Sequence, residues 1–198
     1  MIDNKVEEIR KHVEAISEIL GIKKTESNEN TPLRVAKMYC NELFLNRNNN
    51  NIEELNSRMK VFDNEGNTSP VTMSGIKFYS VCEHHWLPFF GECTVTYVPK
   101  KKIIGLSKIP RVVKFFSQKP QLQERLTKEI GDYLFDLLDP EYLTVEMTAK
   151  HCCVMCRGAE SECETHTVYT LPKFDLKSGG YVTESFYIDA TPNGVKPV

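Results

Sequence analysis

Residues 92–98 read Glu-Cys-Thr-Val-Thr-Tyr-Val and stop at Pro99. Thr94, Thr96 and Val98 alternate there with Cys93, Val95 and Tyr97. Successive side chains on an extended strand point to opposite faces, and β-branched and aromatic residues suit a pleated surface, so the run is a strand with two unlike faces. Working outward, residues 76–81, 143–147 and 165–171 carry the same strand signal. Helical spacing separates them. Gly105-Leu106-Ser107 leads into a short helix with Pro110 in its first turn, and Lys119-Pro120 opens a longer one carrying Leu122, Leu126, Ile130, Leu134 and Leu137. Asp139-Pro140 breaks that pattern. The layout predicts an α+β fold built on an antiparallel sheet.

Further upstream, Val6, Ile9, Val13, Ile16 and Leu20 recur at helical spacing and end at Gly21. Thr31 as N-cap and Pro32 at the first helical position announce a second helix, continued by Val35, Met38, Tyr39 and Phe44 and stopping near Asn46. Four consecutive asparagines at 48–51 predict a solvent loop, and residues 100–102, all lysine, a charged turn. We divide the chain into an amino-terminal helical region, 1–50, a catalytic domain, 51–176, and a carboxy-terminal extension, 177–198, whose structure the residues do not specify. A chain of 198 residues with 40% hydrophobic content suffices for the core of one domain.

A net charge of −2 and a pI near 6.2 create no general field for nucleic acid or an anionic membrane, so neither is an expected partner. The first residues lack a basic stretch leading into an apolar run, and no segment has the length to span a bilayer; a cytoplasmic protein is expected. Seven cysteines, three of them within 152–156, point to thiol or metal chemistry rather than a disulfide framework.

Two ligand-rich clusters flank the predicted sheet: Val-Cys-Glu-His-His-Trp-Leu-Pro-Phe-Phe-Gly at 81–91 and His-Cys-Cys-Val-Met-Cys-Arg-Gly at 151–158. Cys82 and His85, three apart, can reach one ion from a tight turn, and Cys153 supplies a third ligand. Two thiolates and an imidazole suit Zn2+. Three protein ligands leave one tetrahedral position for a water, whose pKa falls towards neutrality, whereas adding Cys156 makes a closed Cys3His structural site. If the second cluster continues a strand, His151 and Cys153 share a face, Cys152 points away into packing, and the open site is favoured.

Five ordered motifs now carry a resemblance: Thr-Pro-Leu-Arg-Val-Ala-Lys-Met-Tyr at 31–39, Cys-Glu-His-His at 82–85, Ile-Gly-Leu-Ser-Lys-Ile-Pro-Arg at 104–111, Gln-Lys-Pro-Gln-Leu-Gln-Glu-Arg-Leu-Thr at 118–127, and the cluster at 151–158. The chain resembles the GTP cyclohydrolase I family, zinc enzymes that convert GTP and water to 7,8-dihydroneopterin 3′-triphosphate and formate. The resemblance implies the tunnelling fold, in which antiparallel sheets of several subunits join into a barrel with the helices outside. It also implies a homodecamer with active sites between subunits. Cys82, His85 and Cys153 match the family's zinc ligands, and His84 and His151 its two non-ligand histidines. By this resemblance His151 protonates the purine as C8 is attacked, and His84 serves as a second acid or base or orients a ligand.

Ser107, Lys108 and Arg111 match the family's triphosphate clamp, with Arg157 a further phosphate-binding arginine whose planar fork suits paired oxygens. Gln123 and Glu124 match positions that recognise guanine, where a carboxylate accepts from the N1–H and 2-amino edge. Glu124 also admits a plainer reading, an i,i+4 surface pair with Lys128. After Gly158 the family usually continues with a threonine- and serine-rich strand, whereas residues 159–166 here are Ala-Glu-Ser-Glu-Cys-Glu-Thr-His. These acidic residues oppose a triphosphate unless they face away. Two other functions fit some of the same residues. One is a non-catalytic zinc-stabilised binding protein with the closed site. The other is a nitrile reductase of the same fold superfamily, which uses a nucleophilic cysteine and a nicotinamide cofactor and needs no Cys-His-Cys set.

Overall fold

The computed structural model describes residues 4–175 and 180–182. The extension expected at 177–198 therefore lies outside the described residues, apart from 180–182.

The predicted strands assemble one sheet. Strand β1, Val61–Asp63, precedes β2, Val71–Cys82, and β3, Pro88–Val98, which form an antiparallel pair. Next come β4, Lys102–Ile104; β5, Pro120–Gln121; β6, Tyr142–His151; and β7, Glu164–Leu171. The five-stranded sheet has the order β5-β2-β3-β6-β7, antiparallel except for the short parallel pairing of β5 with β2. The pair β1 and β4 forms a separate ribbon, as do β8, Lys173–Asp175, and β9, Gly180–Val182. The alternation at 92–98 sorts as its chemistry dictates: Cys93, Val95 and Tyr97 are buried and the threonines face outward.

Two helices cover the apolar face: α4, Lys108–Ser117, and α5, Gln123–Leu138, counted after α1, Asn4–Ile19; α2, Thr31–Met38; and α3, Ile52–Ser57. Val112, Val113 and Phe116 of α4 and Leu126, Ile130 and Leu134 of α5 pack with Phe78, Val95, Tyr97, Val145 and Met147 of the sheet. Burying a side chain of this size stabilises by about 1.5–3 kcal/mol, so this layer supplies most of the driving force. Close approach is built in at Gly91, where a Cβ would meet the Thr148 carbonyl oxygen at 1.9 Å.

Four local expectations are corrected. The second amino-terminal helix is capped by Asn30 rather than Thr31, and beyond α2 it widens to a π-helical turn over Tyr39–Leu43. The longer core helix does not open at Lys119-Pro120, because Pro120 and Gln121 pair with Val81 and Cys82 first, and α5 begins at Gln123. The expected all-lysine turn is a bend only at its start, since Lys102 already pairs with Asp63. Finally, β6 ends at His151, and Cys152–Met155 is a short helical turn, α6, so the strand argument at 151–153 does not hold.

Candidate active site

Strand β2 ends in a tight turn. Trp86 N–H donates to the Cys82 carbonyl at 2.8 Å, and Cys82 N–H donates to the Leu87 carbonyl at 2.9 Å. Closure at Trp86 requires φ of 55°, costly for a bulky residue, and its ring packs edge-on against Tyr39 and Phe44. The turn projects His84 and His85 outward beside buried Cys82. Because β3 pairs Phe89 with His151, the end of β6 and the α6 turn arrive at the same place.

There Cys82, His85 and Cys153 bring their ligand atoms within 4.8 Å of one another. Two soft sulfurs and an imidazole that close together fit a single zinc ion. Burial first, and then the neighbouring Cys82 thiol, pushes the Cys153 thiol up; a bound divalent cation would reverse that direction. Cys153 thus reaches the group from a helical turn, not a strand. Cys156 is not part of the group among the described residues. Four positions along the turn from Cys152, it hydrogen-bonds with that thiol instead. Cys152 is consequently half-buried beside Cys156 rather than packed in the core. This arrangement does not favour the closed Cys3His site.

His151 stacks flat on Phe89, with ring centroids 4.6 Å apart and planes 2° apart. Its Nε2 lies 2.8 Å from Gln123 Oε1. The Gln123 amide nitrogen faces the carbonyls of Met147 and Thr165, at 3.1 and 2.9 Å, and Thr167 Oγ1 at 3.2 Å. Those acceptors settle which end of the amide meets the imidazole. His151 Nε2 therefore carries the hydrogen and donates, leaving Nδ1 to exchange protons. Burial lowers the ring's pKa, and the nearby Glu124 carboxylate works in the opposite sense. Glu124 is exposed at the start of α5 and does not pair with Lys128, which bonds Asp132 instead. His84 Nδ1 lies 3.7 Å from Cys82 Sγ, and Arg157 donates to His85 Nε2 at 3.1 Å.

The remaining predicted site residues stand elsewhere in the chain. The carboxy-terminal end of α4 reaches the ligand turn, since Cys82 pairs with Gln121 and Ser80 Oγ donates to the Lys119 carbonyl at 3.4 Å. Ser107 and Lys108 sit at the other end, about 15 Å away along a ten-residue helix, where Gly105 N–H donates to the Lys60 carbonyl. Arg111, one turn on, lines a groove of about 260 Å³ with Asn46, Glu54, Arg58 and Lys114. One chain therefore gathers Cys82, His84, His85, Gln123, Glu124, His151, Cys153 and Arg157, but not Ser107, Lys108 and Arg111. Of the acidic stretch, Glu164 and His166 lie on the outward face of the sheet with Lys77, Glu92 and Lys150, away from Gln123. Sequence reasoning missed Glu83 and Arg125, which are bonded to each other beside the ligands.

By fold and site this is an α+β protein with a Cys-His-Cys group able to hold a metal ion. The GTP cyclohydrolase I family pattern matches residues 9–179. A GTP cyclohydrolase 1 from Sulfurihydrogenibium is 45% identical over 160 residues, covering 80% of this chain and 79% of the relative. Similar enzymes from Latilactobacillus sakei and Blochmanniella pennsylvanica are 40% and 39% identical, covering 85% and 82% of this chain and 89% and 73% of their own lengths. A solved apo structure of an archaeosine synthase QueF-like protein aligns with 52% of this chain and 92% of its own at a TM-score of 0.45 and 18% identity, too slight a likeness to bear on function. The chain belongs to the GTP cyclohydrolase I family.

Proposed function

We infer that the protein hydrolyses GTP at C8, releasing formate and closing a pterin ring to give 7,8-dihydroneopterin 3′-triphosphate. One observation carries this reading in a chain of that family: Cys82, His85 and Cys153 converge beside His151 and Glu124. Cys82, His85 and Cys153 would hold a Zn2+ ion, which would supply Lewis-acid activation of a water. The chain's own residues do the rest. The Glu124 carboxylate accepts from N1–H and the 2-amino group of guanine, an acceptor set that adenine cannot satisfy. With Nε2–H held by Gln123, His151 delivers a proton from Nδ1 to the purine as C8 is attacked. His84, exposed beside Cys82, handles the proton of ribose opening before the rearrangement and ring closure. Arg157 offers its fork to phosphate oxygens. Glu164 and His166, on the outward sheet face, leave that phosphate region free of their charge.

Ser107 and Lys108 stand at the amino-terminal end of α4 and Arg111 one turn along it, away from the end of the helix that leads to the ligand turn, which supports a site completed by the clamp of a neighbouring subunit. The outward sheet face carries Thr94, Thr96, Lys77 and Glu92, polar enough to line the interior of a shared barrel. We therefore propose a homodecamer with sites between subunits, acting in the cytoplasm. Purified protein of measured zinc content, incubated with GTP, should yield formate and a fluorescent oxidised pterin together, and Cys153→Ala should yield neither. Turnover of GTP by metal-free protein, or no product from the zinc-loaded assembly, would refute this function.

A further inference from the structure

The motif Gln-Leu-Gln-Glu-Arg at 121–125 contains an arginine that the reaction above leaves unused. Two of the three guanidinium nitrogens of Arg125, Nε and Nη2, are committed to protein acceptors. One nitrogen bonds Glu83 and also donates to the Pro120 carbonyl at 3.3 Å, while Nε donates to Gln121 Oε1 at 2.8 Å. The Nε–Nη2 edge of its fork is thus directed at protein acceptors. Glu83 stands between ligand Cys82 and the His84-His85 pair, and its backbone N–H donates to the Gln121 carbonyl at 3.1 Å. The ligand turn is therefore held twice at this residue, by main chain and by side chain.

The anchor below is firm. Gln121 is fully buried and donates to the Phe116 carbonyl at 3.1 Å and to Glu129 Oε2 at 2.7 Å. Glu129 in turn accepts from buried Lys119 at 2.9 Å, and Lys119 also donates to Asn49 Oδ1 at 2.8 Å. A turn that contains Trp86 at positive φ benefits from such an outside restraint. The competing view is an ordinary surface ion pair, since Arg125 and Glu83 are 40% and 32% exposed, and such pairs contribute little. Three simultaneous acceptors in one fork, and the second hold on the Glu83 backbone, separate the two views.

We propose that Arg125 is a positioning residue for the metal centre, fixing the Cys82–His85 ligand turn through Glu83. The inference rests on the ligand assignment made above. Partners that orient metal ligands typically change affinity by roughly 10–100-fold when removed. Zinc affinity of the full-length protein, measured by chelator competition, should fall by about that factor in Arg125→Ala, and the visible absorption of the Co2+-substituted protein should shift. Arg125→Lys keeps the charge but loses the fork, and should not restore affinity. Glu83→Gln should show a loss similar to that of Arg125→Ala. The double variant should be no worse than either single one, because both act through one bond. Unchanged affinity and spectrum in folded Arg125→Ala, or additive losses in the double variant, overturn the proposal. If Arg125→Ala fails to fold, Glu83→Gln decides alone, and unaltered zinc binding there overturns it. Wild-type protein that binds no metal refutes the ligand assignment and this inference together; metal-binding wild type with unaffected variants refutes only the inference.

Discussion

Gln123 and Glu124 are neighbours in the chain and have opposite environments. Gln123 is buried, with its amide bonded on both ends, whereas Glu124 is exposed next to His151. In this arrangement the first orients a histidine and the second is available to a ligand. Gln123→Leu should remove the partner of the buried Met147 carbonyl and of the half-buried Thr165 carbonyl and destabilise the fold by about 1–3 kcal/mol in denaturant titration. Glu124→Ala should leave stability within about 0.5 kcal/mol of wild type while GTP turnover is lost. Cys93 gives a second, independent test. Its thiol is fully buried and pushed up to about 12 by burial alone. A raised folded pKa means that this stability is fully present below the unfolded value of about 8.5 and is lost as pH rises towards the folded one. Native protein at pH 8 should therefore alkylate at exposed Cys156 and Cys163 well before Cys93, which peptide mapping reports. Ligand types and spacing made Cys82, His85 and Cys153 legible from sequence. Arg125 was not, because an arginine on a helix looks the same whether it meets water or Glu83.

Among the elements, the core strands and helices follow their periodicity closely, because alternation and helical spacing are properties of neighbours in the chain. The departures occur where a distant partner intervenes. Pro120 and Gln121 become a strand only because the end of β2 lies alongside, and the chain turns into α6 only after β6 has run out of a partner beyond Phe89. The β3–β6 pairing also explains Gly91, whose replacement by alanine would press a Cβ on the Thr148 carbonyl. Gly91→Ala should cost about 1–3 kcal/mol, read as a fall in Tm. In contrast, α1 packs chiefly on α2 and leaves Ile16, Ile19 and Leu20 exposed. Hydrogen exchange should find its amides opening well before those of α5.

For the whole molecule, the separation of ligands from clamp makes a quantitative prediction. Cys153→Ala chains lack an intact ligand set but retain Ser107, Lys108 and Arg111; Arg111→Ala chains have the reverse defect. If each site joins the two halves from different subunits, coexpressing equal amounts should restore about a quarter of wild-type sites by random assortment, although either variant alone is inactive. Mixed assemblies with no activity above either parent would show that both halves come from one chain.

The α+β class, the family, the candidate ligands Cys82, His85 and Cys153 and the histidines near them were legible from sequence alone, since these depend on residue type and spacing along the chain. Folding was needed to show that Cys156 turns to Cys152, that Gln123 is buried against His151, that Arg125 grips Glu83, and that Ser107 and Lys108 stand at the amino-terminal end of α4. The physical reason is the same in each case. Periodicity is set by adjacent residues, but which polar atoms meet depends on strand pairing and helix packing between segments far apart in sequence.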